Sequence, residues 1–231
     1  MKALSRLLLL CLLVPAAHAD GPPLFSVTGL HGWEPEGMLN RKRTDYDLVQ
    51  DAGARVVSAQ CRDSASMLGW AGSVDLRKTP VLHWRWKVER VYAGLDERVK
   101  AGSDFPARIY VVQGSRWMPW SLKTLIYVWS NGEYKAASWT SPYAGAMGQA
   151  LIVPVRSGAE GVGRWQDEWH DVQADFRRFF GTQVDKIGAL ALMTDCDDSH
   201  SQSHAWYGDL EFVPRRETSA GIVPPATAPT D

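Results

Sequence analysis

The sequence predicts an all-β fold: an antiparallel β-sandwich of jelly-roll type with one or two short helices. Three observations carry this expectation. Apolar and polar residues alternate with period two in many short runs. Clusters of Gly and Pro separate those runs. Helical periodicity is scarce, so two packed sheets are the architecture that buries the apolar faces.

In chain order, "DYDLVQ", "ARVVSAQC" and "SMLGW" supply the first candidate strands. "VLHWRWKVE" alternates most cleanly, with Leu82, Trp84, Trp86 and Val88 on one face and His83, Arg85, Lys87 and Glu89 on the other. "PARIYVVQ" sets Ala107, Ile109 and Val111 against Arg108, Tyr110 and Val112. "TLIYVWS" sets Ile126 and Val128 against Leu125, Tyr127 and Trp129. "ALIVPVR" and "KIGALALM" are apolar on both faces and read as central strands, although Pro154 lacks an N–H and calls for an edge or a bulge. "AWYGDLEF" closes the set. The best helix is "ADFRRFFG", with Asp175 as its cap, Phe176, Phe179 and Phe180 on one face and Gly181 as its stop. "AGLDERVKAG" suggests a further turn or two.

The 231 residues divide into a signal peptide (1–19), one sandwich domain (20–213) and a Pro/Ala/Thr-rich tail (214–231) expected to be disordered. The signal is a short basic region with Lys2 and Arg6, an apolar run over 7–14 too short to span a bilayer, and Ala17-His18-Ala19 before Asp20. Cys11 lacks the small residues before it that lipidation needs. No later stretch approaches the roughly 20 apolar residues of a membrane span. These features place the protein in the periplasm or outside the cell. The formal net charge is −1, and no long basic run exists, which argues against nucleic acid as a partner. Residues 20–24 read as a linker-like start. In an oxidising compartment Cys61 and Cys196 are the natural disulfide pair, two free thiols being the alternative.

Several segments together resemble the domain-of-unknown-function 3047 family of secreted bacterial domains. They are "TPVLHWRWKV", "AGSDFPARIYVV", "LIYVWS", "SGAEGVGRWQDEWHDVQADFRRFFG" and "ALALMTDCDDSHSQSHAWYGDLEF", over most of 79–212. The resemblance implies a jelly-roll-like sandwich and brings no established activity, so it assigns no site residues. Cys196 and the histidines of "DCDDSHSQSH" depart from the family's usual loop. "YGDLEF" is also similar to the last strands of carbohydrate-binding modules, an analogy of fold that does not fix function.

The candidate ligand-binding residues are those that alternation turns outward: Arg85, Arg108, Tyr110, Tyr127, Trp129, Tyr207 and Asp209. Aromatic rings stack on sugar faces, while Arg and Asp hydrogen-bond hydroxyls, so a glycan or other polyhydroxylated molecule is the expected ligand. The plain alternative is a solvated sheet face laced with cross-strand pairs. Two long loops add Trp117 and Trp120, then Tyr134, Trp139 and Tyr143, either as ligand contacts or as rings folded onto the sandwich.

No cofactor is required by this reading. Asp195-x-Asp197 nevertheless has the alternate carboxylates of a calcium loop, so Asp195 and Asp197 are the candidate metal ligands, with Asp104 as a further candidate from a separate loop and a structural calcium as the ion. The alternative is a turn in which Asp side chains cap backbone amides. Cys196, His200 and His204 form a weaker transition-metal set. A glycan-active enzyme would need paired carboxylates, from Asp167 with Glu168 or from Asp195 with Asp209. No nucleophile elbow, HExxH or phosphate loop is present, so a non-catalytic binding domain is the first expectation. An envelope component held through the tryptophan loops is the third, and the oligomeric state is left open.

Overall fold

A computed structural model describes residues 21–114, 119–132, 138–145 and 148–216. The expected signal peptide, residues 217–231 of the tail, Trp117 and Tyr134 lie outside the described residues.

The elements in chain order are α1 (Phe25–Thr28), β1 (Glu34–Gly37), β2 (Asp45–Asp51), β3 (Ala54–Arg62), β4 (Ser66–Asp75), β5 (Val81–Val88), β6 (Ala107–Gln113), β7 (Lys123–Ser130), β8 (Trp139–Thr140), β9 (Gln149–Ser157), β10 (Gln166–Asp171), α2 (Val172–Phe180), β11 (Lys186–Met193) and β12 (Gln202–Val213). They form a seven-stranded sheet ordered β1-β4-β11-β6-β7-β9-β8 and a five-stranded sheet ordered β10-β5-β12-β3-β2. The fold is thus the expected β-sandwich with two short helices. All pairs are antiparallel except β7 with β9, which run parallel. A one-residue shift in that pairing lies beside Pro154, where a strand missing one N–H tolerates a bulge.

Alternation explains the core. Leu82, Trp84, Trp86 and Val88 of β5 meet Ala107, Ile109 and Val111 of β6 and Leu125, Tyr127 and Trp129 of β7 between the sheets. Trp84 lies 5.5 Å from Tyr127, and Trp86 lies 6.0 Å from Trp129, ring centroid to centroid. Three expected outward residues are therefore corrected: Tyr127, Trp129 and Tyr207 are fully buried. Both faces of β7 are apolar, and the interior between two sheets has room for the larger rings. Their polar ends find internal partners, as buried phenol and indole groups must. The Tyr127 hydroxyl donates to Asp175 at 2.7 Å, the Trp129 indole to the Gly158 carbonyl at 3.0 Å, and the Tyr207 hydroxyl to the Met193 carbonyl at 2.8 Å.

Asp171, not Asp175, caps α2, accepting the Ala174 amide at 2.9 Å. The predicted stop holds, with Gly181 at φ 63° in the left-handed region. The start at 20–24 is less linker-like than expected, since Pro22 is buried, Phe25 enters the core and the Trp33 indole donates to the Pro23 carbonyl. Order also runs past the expected boundary at 213. Arg215 donates to Asp171 and Gln173, and Arg216 sits over Trp169.

Cys61 and Cys196 are bonded, with Cα atoms 6.1 Å apart and 135 residues between them in sequence. The bond joins the end of β3 in one sheet to the segment after β11 in the other.

Candidate functional site

The outer face of the seven-stranded sheet holds a groove of about 870 Å³. Its floor is cut by small side chains. Gly69 and Ala71 of β4 lie beside Ala191 and Ala189 of β11, with Ala150 on β9. The same alternation that sends Leu190 and Leu192 into the core turns Ala189, Ala191 and Met193 toward the groove. Met67, Tyr110, Val112, Thr124 and Ile126 complete the floor. One rim comes from Met38, Leu39 and Arg41 and the other from Ser141, Tyr143, Ala144 and Gly148. Leu39 and Tyr143 on these rims are 90% and 52% exposed, and Trp120 nearby in sequence to the lining residue Leu122 is 71% exposed. Among the described residues, Leu39 and Tyr143 thus bring two large, solvent-facing hydrophobic side chains to this groove.

One end of the floor is charged. Arg108 and Asp195 are both almost fully buried. Arg108 Nε donates to Asp195 Oδ1 at 3.0 Å, and Nη2 donates to Asp195 Oδ2 and to the Ser103 carbonyl. Asp195 Oδ1 also accepts the Phe105 amide at 3.0 Å. Burial pushes the Asp195 carboxyl upward, and the Arg108 guanidinium opposes that rise by favouring the charged form. Arg108 Nη1 reaches the Tyr110 hydroxyl at 3.2 Å, which in turn donates to Met193 Sδ at 3.4 Å.

Beyond this pair the segment after β11 ties both rims together. Arg41 Nε meets Asp197 at 2.8 Å, Arg41 Nη2 meets Asp198 at 3.3 Å, and the Tyr143 hydroxyl donates to Asp198 at 2.6 Å. Asp104 accepts the amides of Asp198 and Ser199 at 3.3 and 2.6 Å. The disulfide fixes the base of the same segment, and the Tyr92 hydroxyl donates to the Asp195 carbonyl at 2.6 Å.

The expected site residues therefore separate. Arg108 and Tyr110 line the groove. Tyr127, Trp129 and Tyr207 lie in the core, as described. Arg85 faces outward from the opposite sheet, with its guanidinium 4.6 Å from the Trp165 ring centroid. Asp209 accepts the Ser26 amide at 2.9 Å and pins α1. Sequence reasoning missed the floor alanines, Gly69 and the rim residues Met38, Leu39 and Arg41. The available signal was size: Ala189 and Ala191 alternate with Leu190 and Leu192.

The carboxylates considered for catalysis do not share a cleft. Glu168 is buried between the sheets, accepting from the Trp86 indole at 3.0 Å and Arg156 at 2.6 Å. Asp167 faces His83 on the other sheet, and Asp195 is held by Arg108. As for a hard cation, ligand atoms of Asp104, Asp197 and Asp198 lie within 4.8 Å of one another, whereas Asp195 is outside that set. Arg41, the Tyr143 hydroxyl and two backbone amides already serve those three carboxylates. The Cys196, His200, His204 set is overturned, because Cys196 is in the disulfide, His200 pairs with Asp63 and His204 bonds Ser58.

The fold is a two-sheet β-sandwich with an open groove on the outer face of its seven-stranded sheet. The family pattern of the group described as "Protein of unknown function (DUF3047)" matches residues 31–211, and the chain belongs to that family. No curated protein matches. Among solved structures the chain is similar to the family 11 carbohydrate-binding module of Clostridium thermocellum, at 10% identity and TM-score 0.43, covering 82% of this chain and 92% of that one. It is also similar to the xyloglucanase domain of NopAA from Sinorhizobium fredii, at 9% identity and TM-score 0.45, covering 79% and 92%. The family 30 carbohydrate-binding module of a Clostridium thermocellum cellulase gives 9% identity and TM-score 0.44, covering 80% and 93%.

Proposed function

We propose that this protein is a non-catalytic binding domain of the periplasm or cell exterior, and that it takes a glycan or another hydroxylated molecule into the groove of the seven-stranded sheet. The observation that carries this reading is the groove itself, about 870 Å³ and within the usual range of small-molecule sites. Exposed apolar side chains at its rims support the reading, since such patches mark interaction surfaces on monomeric proteins. Polar groups that can meet hydroxyls stand at the edge: Glu34, Glu36, Arg41 and Asp197. The disulfide supports an oxidising compartment. Among the described residues no helix is long and apolar enough to cross a membrane.

Trp70 lines the groove and serves as an intrinsic reporter. Titrating the protein with a panel of soluble oligosaccharides should change tryptophan emission for at least one of them. Ala71→Phe, which fills the floor, should abolish the change. Silence across the panel, or a response that Ala71→Phe leaves intact, would overturn the reading.

A further inference from the structure

We infer that the ligand of this groove is an amphiphile with an uncharged hydroxylated head, its apolar chain lying on the floor and its head at the rim. This inference rests on the reading above that the groove is the binding site, and it narrows the ligand class.

The floor has the shape of a binding site but little of the polarity that a bare sugar chain requires. A glycan brings many hydroxyls, and each must find a partner or lose its water at a cost. The polar atoms deepest in this groove are already committed to the protein. Three Arg108 donor contacts go to Asp195 and the Ser103 carbonyl, and a fourth goes to the Tyr110 hydroxyl. The Tyr110 hydroxyl itself turns to Met193 Sδ. Ser141 Oγ accepts the Tyr143 amide. The surface left to a ligand is Met67, Met193, Val112, Ile126, Trp70 and a row of alanines, with the Thr124 hydroxyl as one polar group among them. Such a lining favours methylene groups, each worth about 0.8 kcal/mol when buried, or nearly fourfold in affinity.

The rim sets the head. Four carboxylates line the groove, Glu34, Glu36, Asp195 and Asp197, against two guanidinium groups, Arg41 and Arg108. Glu34 and Glu36 are exposed on the edge strand β1, and the Glu36 carboxylate lies over Gly69, where a Cβ would come within 3.3 Å of its Oε1. This balance repels a sulfate, phosphate or carboxylate head. It leaves a neutral hydroxylated head, whose hydroxyls donate to Glu34 and Glu36.

The test uses four soluble probes below their micelle-forming concentrations: n-hexyl β-glucoside, n-octyl β-glucoside, n-octyl sulfate and cellotetraose. Binding is followed by calorimetry on the wild-type protein and on Ala71→Phe and Ala189→Phe. These two substitutions fill facing positions on β4 and β11, and Ala71 is exposed, so thermal midpoints should show that Ala71→Phe at least remains folded. The octyl glucoside should bind about fifteenfold more tightly than the hexyl glucoside, the value for two further buried methylenes. It should also bind at least tenfold more tightly than octyl sulfate, and a folded filled variant should lose it. Octyl sulfate binding as well as the glucoside would overturn the head assignment. Alkyl glucosides that ignore chain length, or that bind the filled variants unchanged, would overturn the inference. Cellotetraose bound alone and lost in the variants would overturn the amphiphile while leaving the glycan reading intact. Silence from all four, with silence across the oligosaccharide panel, would remove both.

Discussion

Arg108 and Asp195 are costly to leave unmatched. Both are buried, and each satisfies the other through two guanidinium contacts. Removing one partner strands a charge in a medium that solvates it poorly, so Asp195→Ala should lower stability by about 3–5 kcal/mol. Replacing both together, as Arg108→Met with Asp195→Leu, should recover most of that loss, because a buried pair contributes little beyond a packed apolar substitute. Chemical denaturation of the two single variants and the double variant measures the coupling. A double variant that loses the sum of the singles would show that the two act independently. Of the residues that alternation marks as binding candidates, only this arginine and Tyr110 reach the groove. Alternation states which residues share a face, and it does not state which face the other sheet will cover. For β5 the choice was plain, because one face is charged. For β7 both faces are apolar, and the sequence offered no sign that Tyr127 and Trp129, not Ile126 and Val128, would turn inward.

At the scale of elements, the segment after β11 shows how a short stretch joins fold and site. Thr194, Asp195 and Cys196 contact four different parts of the chain. The Thr194 carbonyl accepts from Thr44, the Asp195 amide donates to Phe105, the Cys196 amide donates to Ser64, and the disulfide reaches β3. The next two residues hold both rims of the groove. Replacing Cys61 and Cys196 by serine should cost roughly 2–5 kcal/mol, since a long loop of the unfolded chain is set free. Thermal midpoints of the two forms test it, and a change below about 1 kcal/mol would show that the loop's hydrogen bonds suffice. The same release should weaken ligand binding at the rims, read by the same calorimetry. At α2, Asp171→Ala removes both the cap on Ala174 and the partner of Arg215, so a loss of about 1 kcal/mol or somewhat more is expected. The strands were legible because period two survives in short runs, and the helix stop because Gly181 permits a positive φ. The helix start was misplaced by four residues, as Asp171 lies at the end of a strand whose polar residues hide the cap. The parallel pairing of β7 with β9 left no trace in either strand, because pairing partners are chosen by the whole fold.

At the scale of the molecule, the balance of buried and exposed carboxyls sets how stability depends on pH. Burial raises Glu97 and Glu168 above the ordinary glutamate range. Glu97 accepts from Ser130 Oγ at 2.6 Å and from the Asn131 amide at 2.7 Å, beneath the strand that carries Trp139. A carboxyl whose folded pKa is raised binds its proton more tightly in the folded state. Its contribution is fully present below the unfolded value of roughly 4.3 and is lost as pH rises through the folded value. Asp51 and Asp63 act in the opposite sense. Hydrogen bonds from Lys87 lower Asp51, and those from Lys42 and His200 hold Asp63 at about 2. Their contribution is present above roughly 3.9 and is lost as pH falls through the folded values. The two groups together predict greatest stability on the acid side of neutrality, with a fall from the buried glutamates as pH rises above roughly 4.3 and a fall below about pH 4 from the paired aspartates. Glu97→Gln keeps the shape of the protonated side chain and removes its titration. Its thermal midpoint relative to wild type should therefore move in the variant's favour over a window that opens at roughly pH 4.3, the unfolded value, and runs upward. Parallel curves for the two proteins across that window would show that Glu97 is not a source of the decline.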